Sequence, residues 1–208
     1  MAHRARITPR KQPQQERSRA TVDAILDATA RILVQDGYDG ASTNRIALKA
    51  GVSVGSLYQY FPSKEALVAA LIDRHMEEMS ARFAAQMSDL AGEDPRVVVR
   101  EVIRGMISAH QVEPRLHGVL TEQIPRVGKI DKLLEINRRV AVRVRGYLES
   151  IQDRLVTRDL DTAVFLLVTT VEAVTHSLVV SDAAAVSAER VVDELTGMVC
   201  RYLFGAGG

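Results

Sequence analysis

The chain has 208 residues, 47% of them hydrophobic, which is enough for one large or two small domains with a buried core. Its one cysteine, Cys200, excludes an intramolecular disulfide and a metal site made from a cysteine cluster. The net charge of +1 is unevenly divided, because residues 1–64 carry +5 and the remainder carries −4. The basic front suits a polyanionic partner, and the acidic back suits a different task. The lone cysteine fits a reducing compartment and no secretory leader begins the chain, so we predict a cytoplasmic protein.

Residues 1–16 are predicted to form a flexible basic arm, since they hold few side chains that a core would bury. The arm contains Arg4, Arg6, Arg10 and Lys11. These cations could lie along phosphates or in a minor groove. A solvated tail that only aids solubility is the alternative, and the sequence leaves both open.

Residues 17–64 are predicted to form a small three-helix domain. Apolar residues recur with helical spacing from Val22 to Leu33, and Asp36-Gly37 ends this first helix. Tyr38 follows as a core or edge aromatic. The helix has no chemistry of its own, so we expect it to be the platform on which two shorter helices pack.

The stretch from Thr43 to Lys64 reads as two short helices joined by a tight turn. Thr43 is positioned to cap the first helix, and Gly51 to end it, because glycine adopts a left-handed backbone at little cost. Ser53 is positioned to cap the second helix, and Pro62 to stop it. This pattern is typical of a helix-turn-helix, whose second helix enters a DNA major groove.

Residues 65–208 are predicted to be entirely helical, because strand-like alternation is missing from the sequence pattern. Ser63 should cap the first of these helices. The predicted helices cover residues 64–87, 95–112, 116–124, 128–155, 160–180 and 188–203. The expected fold is therefore all-α, with an N-terminal helix-turn-helix domain and a C-terminal helical domain. The helix over 64–87 is long enough to act as a lever between them.

Residues 160–180 form the most apolar segment and approach the length of a membrane span. Asp161, Glu172 and His176 argue against that, because charge inside a bilayer is costly. We predict instead a helix buried on most sides, with a second copy of the chain supplying the cover. Together with the last helix it would form a four-helix bundle around a two-fold axis.

The segment Thr43–Leu67 resembles the N-terminal signature of the tetracycline-repressor (TetR) family of bacterial transcription regulators. The matching pattern is T-x-x-I-A-x-x-A-G-V-S-x-G-S-L-Y-x-Y-F-P-S-K-E-A-L, preceded by a helix that ends in Asp36-Gly37-Tyr38. The match covers about the first third of the chain. The remainder resembles the family only in length and helical character.

The resemblance implies a set of DNA contacts. Thr43, Tyr58, Tyr60 and Lys64 would bind phosphates, and Asn44 or Arg45 would reach a base edge. In the second short helix, Val54, Ser56 and Gln59 would face the groove and Gly55 would allow close approach, while Leu57 would be core. Plainer roles remain open, because Thr43 and Ser53 could be only caps and the tyrosines only packing residues.

The resemblance also implies a repressor that binds a palindromic operator as a homodimer and is released by a small, largely hydrophobic effector. Candidate effector contacts are the polar residues inside apolar helices and two apolar walls: Arg104, Met106, His110, Glu122, Gln123, Phe165, Glu172 and His176. Glu122 could instead pair with Arg126, and Glu172 with His176.

We predict no enzymatic activity, cofactor or metal site, because the sequence holds no dense catalytic or ligating motif. A helical adaptor is the first alternative and a small-molecule enzyme the second. An adaptor would leave the pattern from Thr43 to Lys64 without a purpose.

Overall fold

The computed structural model describes residues 16–87, 90, 92–180 and 186–205, with the side chains of residues 16, 17, 86 and 87 left aside. The predicted basic arm thus lies almost wholly outside the described residues. Every secondary-structure element among the described residues is a helix and none is a strand, so the all-α prediction is confirmed.

Nine α-helices and one 3-10 turn follow one another along the described chain. They are α1 (Glu16–Gly40), α2 (Thr43–Ala50), α3 (Val54–Tyr60), α4 (Lys64–Met87), α5 (Pro95–Gln111), α6 (Pro114–Gln123), α7 (Ile130–Ser150), the 3-10 turn (Gln152–Arg154), α8 (Leu160–Val180) and α9 (Ala188–Phe204). The bounds of α8 match those predicted. The segment predicted over 128–155 is shorter as a helix, because Gly128 has a φ of 68° and the backbone leaves the α conformation at Ile151.

The chain divides into two units. The first, called the head unit, holds the described residues up to Glu78 together with Arg115–Ile130. The second, called the body unit, holds Met79–Pro114 and the described residues from Asp131 onward. This division differs from the predicted boundary after residue 64, because the first turns of α4 and all of Arg115–Ile130 group with the helix-turn-helix.

The head unit is built on α1. Ile25 and Leu33 on α1, Ile46 on α2 and Leu57 on α3 are completely or almost completely buried. On α1 the buried residues Ile25, Thr29 and Ile32 recur at intervals of four and three residues, so they lie on the one face against which α2 and α3 pack. Gly37, with φ 68° and ψ −179°, interrupts α1 near its end, as predicted.

The helix caps follow the predictions except in one place. Gly51 adopts the left-handed conformation after α2, and Ser53 accepts a hydrogen bond from the Ser56 backbone N–H at 3.0 Å. Ser63 caps α4 by accepting from the Ala66 N–H at 3.1 Å. The prediction for Thr43 is wrong: Ser42 caps α2, accepting from the Arg45 N–H, and Thr43 is already the first helical residue.

The body unit has its own apolar core. Its buried members are Ile103, Ile107, Leu148, Leu155, Leu160, Ala163, Val164, Val192, Leu195, Val199 and Leu203. They come from α5, α7, α8, α9 and the segment between α7 and α8, so helices distant in sequence close around one interior.

One face of α8 stays open within the single chain. Only 17% of its most apolar stretch is buried, and Phe165, Leu166 and Val180 are exposed. By length and composition alone, α8 is the one described helix that qualifies to cross a membrane. The predicted burial on most sides is therefore not reached inside one copy of the chain.

Candidate nucleic-acid interface

The geometry of α2 and α3 is fixed by a tight turn. The Gly51 N–H donates to the Leu48 carbonyl at 3.2 Å, and the Val52 N–H donates to the Ala47 carbonyl at 3.0 Å. These bonds satisfy carbonyls that the end of α2 would otherwise leave without donors. Leu57 is fully buried, which confirms its predicted core position and turns the opposite face of α3 outward.

The outward face of α3 carries the residues predicted to face the groove. Val54, Gly55 and Gln59 are exposed, as is Asn44 on α2. Ser56 is half-buried, and its hydroxyl lies 2.8 Å from that of Ser53. The exposed side-chain amides of Asn44 and Gln59 are groups that can pair with a base edge in the major groove. Contact of these residues with DNA remains a prediction.

Two predicted phosphate ligands from different helices meet at this surface. The Thr43 hydroxyl on α2 and the Tyr58 hydroxyl on α3 are hydrogen-bonded to each other at 3.0 Å. Thr43 is available for this bond because Ser42 serves as the cap. Tyr60, the third predicted hydroxyl, is half-buried. The Thr43–Tyr58 pair presents two hydroxyl groups side by side, an arrangement that suits one phosphate.

Two predicted DNA ligands also hold the end of α1 and the residue that follows it, residues 36–41, which we call the 36–41 corner. The Lys64 ammonium donates to the carbonyls of Tyr38 and Ala41 at 2.9 and 3.1 Å. The Arg45 guanidinium donates to the Gly40 carbonyl at 2.8 Å and to the Asp36 carboxylate at 2.7 Å. The sequence pattern suggested neither role, since these contacts form only where α1, α2 and α4 pack together.

Tyr38 forms the centre of this corner. It is buried, its hydroxyl donates to the Glu65 carboxylate at 3.0 Å, and the Lys64 ammonium lies 4.1 Å from its ring centroid. Burial raises the pKa of Tyr38 to about 12, and the carboxylate beside it adds to the rise. Burial opposes the charged form of Glu65, yet hydrogen bonds from its own backbone, Ser63 and Tyr38 outweigh this and lower its pKa.

Most predicted effector residues lie in the body unit, in different settings. Arg104 forms ion pairs with Glu101 and, at 2.7 Å, with Glu189 on α9. Phe165 is 66% exposed on the open face of α8. Both therefore lie at the surface of the chain, and their contact with an effector stays a prediction.

His110 and His176 are two polar members of the predicted effector set that lie near each other in the body unit. His110 is buried, and its Nδ1 lies 2.7 Å from the Met106 carbonyl oxygen. Burial lowers the pKa of His110, and the nearby His176 adds to the lowering. Glu172 and His176 are half-buried on α8.

Glu122 and Gln123 belong to the head unit, so the predicted effector set is divided between the two units. Glu122 is exposed and Gln123 is buried. The alternative pairing of Glu122 with Arg126 is wrong, because Arg126 binds Asp39 at 3.3 Å and lies over the ring of Tyr38.

Sequence reasoning missed three buried hydroxyl groups of the body unit. The side-chain oxygens of Tyr147, Thr175 and Thr196 are buried and have no hydrogen-bond partner among the described residues. A buried hydroxyl normally finds a partner, and one without is a candidate ligand contact. Nothing in the sequence distinguishes these residues from ordinary members of an apolar helix.

Together, the fold and this surface define a helix-turn-helix DNA-binding protein with a separate helical body. Residues 25–71 match the family model described as bacterial regulatory proteins, tetR family, and residues 94–203 match that of the tetracyclin repressor-like C-terminal domain. The second match alone covers more than half of the chain. The chain belongs to the TetR family of bacterial transcription regulators, which confirms the resemblance found in the sequence.

Curated relatives include transcriptional repressors of the same family. The HTH-type transcriptional repressor KstR of Mycolicibacterium smegmatis is 34% identical over 97 residues, which is 47% of each chain. KstR of Rhodococcus jostii is 26% identical over 136 residues, covering 63% of this chain and 62% of that one. The chain thus spans about half to three fifths of the length of the curated relatives it matches.

Solved structures share the fold. The fatty acid degradation regulator FadR from Bacillus halodurans superposes with a TM-score of 0.69 at 19% identity, covering 91% of this chain and 96% of that one. NalD of Pseudomonas aeruginosa, the secondary repressor of the MexAB-OprM efflux pump, gives a TM-score of 0.70 at 17% identity, covering 93% and 100%. At these identities the likeness concerns the fold alone.

Proposed function

We propose that this DNA-binding regulator is a repressor that binds a palindromic operator as a homodimer and leaves it when a small, largely hydrophobic effector binds the body unit. The observation that carries the proposal is the joint surface of α2 and α3. There the Thr43–Tyr58 hydroxyl pair lies on the same helix pair as the exposed side chains of Asn44 and Gln59. The KstR relatives are transcriptional repressors, which supports repression here.

Operator reading rests on polar and apolar contacts. The helix α3 has the sequence VGSLYQY and contains no charged residue. Base discrimination would come from the Gln59 amide, the Asn44 amide and contact of Val54 with thymine methyl groups. Phosphate contacts from the hydroxyl pair and from basic residues would supply most of the affinity, so binding should weaken strongly with salt.

Dimer formation is supported by the open faces of the last two helices. On α8 the exposed residues Phe165, Leu166 and Val180 combine with small Thr169 and Ala173, and α9 exposes Met198 and Tyr202. Positions 165, 169 and 173 recur every four residues, so they form an exposed stripe of apolar and small residues along α8. An exposed apolar stripe is typical of a protein interface. A second copy would cover it by a two-fold four-helix arrangement. Two heads about 34–36 Å apart could then read both halves of a palindrome.

Effector control follows from linkage. A ligand that binds more tightly to a dimer with the wrong head spacing must release DNA. The helix α4 is the proposed lever, since its residues begin in the head unit and continue into the body unit. Within the body unit, the Thr175 hydroxyl and the imidazoles of His110 and His176 are the polar groups we assign to an otherwise apolar ligand.

The operator proposal is tested by fluorescence anisotropy. The wild-type protein would be titrated onto duplexes covering the region upstream of its own gene, in a cytoplasm-like buffer at several salt concentrations. We expect one duplex to bind with steep salt dependence. Gln59→Ala should change the preference among operator variants, whereas Gln111→Ala, an exposed glutamine of the body unit, should not.

Failure to bind any duplex, or binding that ignores salt, would refute the proposed function. Membership of a family of transcription regulators favours a regulator over the adaptor and the enzyme. Among the described residues, no group of three or more histidine, cysteine, aspartate or glutamate side chains is placed to hold a metal ion.

A further inference from the structure

Within the part of the chain that the structure describes, the 36–41 corner is contacted by three cations from three different segments. Arg45 on α2 and Lys64 on α4 hold its carbonyls, as described above. The third is Arg126, which lies in the turn between α6 and α7. The first two belong to the helix-turn-helix segment itself, whereas the third is more than 80 residues away in sequence.

Arg126 contacts two neighbouring residues of the corner at once. Its Nη1 lies 3.3 Å from the Asp39 carboxylate, and its guanidinium carbon lies 4.1 Å from the centroid of the Tyr38 ring. A guanidinium can do both, because its plane packs on an aromatic ring while its edge donates hydrogen bonds. The Arg126 side chain is 53% exposed, so these contacts are reversible ones at the surface.

The segment that carries Arg126 has a distinctive place in the chain. Residues 115–130 belong to the head unit, but the residues on either side of them belong to the body unit. Two further contacts of this segment reach α4: His117 Nδ1 lies 3.1 Å from His75 Nε2, and the Lys129 ammonium lies 2.6 Å from the Asp73 carboxylate. Arg126 instead reaches the corner that leads directly into α2.

We propose that Arg126 is a positioning residue for DNA binding, which fixes the 36–41 corner, and with it the start of α2, through Asp39 and the ring of Tyr38. The start of α2 follows at once, with the cap Ser42 and the predicted DNA ligand Thr43. A change in residues 115–130 would withdraw Arg126 and loosen this start. The inference rests on the proposed function, because its readout is operator affinity.

The sign of the effect of Asp39→Asn separates this role from simple electrostatics. Removing a negative charge near the DNA-binding surface should strengthen operator binding if Asp39 acts only as a charge. If Asp39 holds Arg126, the same substitution should weaken binding. Asp39→Asn removes only the exposed ion pair, so we expect it to weaken binding by up to about fivefold. Arg126→Gln also removes the cation–aromatic contact, so we expect it to weaken binding by about three- to thirtyfold.

The two substitutions should also fail to add. The double variant should bind about as weakly as Arg126→Gln alone, because that substitution already removes the ion pair that Asp39→Asn breaks. Arg126→Lys should recover part of the affinity, since lysine keeps the charge but not the planar group. The matched control is the exposed ion pair of Glu135 and Arg139 on α7, where Glu135→Gln and Arg139→Gln remove the same charges.

The experiment uses the full-length protein and a duplex that the wild type selects from a random library, with circular dichroism to verify folding. The slope of log affinity against log salt should be unchanged in Arg126→Gln. A slope reduced by about 0.9 would mean that Arg126 binds a phosphate itself, which overturns the positioning role. Tighter binding by Asp39→Asn, or additive losses, would also overturn it.

The proposed function and this inference fail in different ways. If the wild type selects no duplex, the proposed function falls and the inference falls with it. If the wild type binds a duplex and the Asp39 and Arg126 variants bind it equally well, only the inference falls.

Discussion

Replacing Phe165 with alanine should weaken the dimer without unfolding the chain. In the single chain, 66% of Phe165 is exposed on the open face of α8. If a second copy covers this face, the ring becomes buried only on association. The substitution therefore removes apolar area from the proposed interface and little from the core of the body unit.

The size of the effect follows from that exposure. Complete burial of a phenylalanine side chain contributes about 1.5–3 kcal/mol. Two thirds of this is about 1–2 kcal/mol for each copy, and a two-fold interface contains the residue twice, so the loss is about 2–4 kcal/mol. The dimer dissociation constant should rise by about 30- to 1,000-fold.

Sedimentation velocity over a dilution series would measure this constant for wild type and Phe165→Ala. The control is Val142→Ala on α7, because Val142 is also 66% exposed but lies outside α8 and α9. An unchanged constant for Phe165→Ala would refute the assignment of this face to the dimer, as would an equal loss for Val142→Ala. Operator binding at low protein concentration should weaken in parallel with dimer loss.

The remaining predictions concern the head unit. Gln59→Ala should change the preference among operator variants. Lys64→Ala should weaken binding to all operator sequences alike and also lower Tm, because two backbone carbonyls lose their donor. Equal losses on every operator variant for both substitutions would show that the groove-facing side of α3 is misassigned. Ser42→Ala removes the cap of α2 and should lower the free energy of unfolding, measured in urea, by about 1 kcal/mol. Thr43→Val should lower the free energy of unfolding less than Ser42→Ala does and should lower DNA affinity. A larger loss of stability in Thr43→Val than in Ser42→Ala would contradict the cap assignment. Because the pKa of Tyr38 is about 12 in the folded chain against 10.0 for an ordinary tyrosine, the unfolded state loses this proton first, so stability should fall as pH rises from about 10 to 12. Tyr38→Phe should show a smaller fall in urea titrations over that range, and an identical fall would mean that other groups cause it.

Local patterns were sufficient wherever a structure depends on neighbours in the chain. The left-handed Gly51, the caps at Ser53 and Ser63 and the bounds of α8 follow from residues within a few positions of one another. The core position of Leu57 follows from helical spacing in the same way. The cap of α2 was the exception, since Ser42 and Thr43 are adjacent and both can cap, so the sequence could not choose between them.

Residues whose partners lie far away in the chain were assigned only by the tertiary structure. Lys64 was predicted as a DNA ligand, and the fold shows that it also holds the 36–41 corner through the carbonyls of Tyr38 and Ala41. The sequence spacing allowed Arg126 to pair with Glu122, four residues before it, yet in the structure it binds Asp39, 87 residues away. A side chain of this length can reach any acid that folding brings near, and sequence spacing limits the choice only within one helix.

The sequence by itself determined the all-helical fold, the helix-turn-helix and the family, because helical periodicity, caps and the Thr43–Leu67 pattern are local properties of the chain. The tertiary structure alone decided which polar groups meet. It paired the Thr43 and Tyr58 hydroxyls, set Arg126 on Tyr38 and left the Thr175 hydroxyl buried with no partner in the described part of the chain. The physical reason is that hydrogen bonds and ion pairs act over a few ångströms in space, between residues that only the packing of helices brings together.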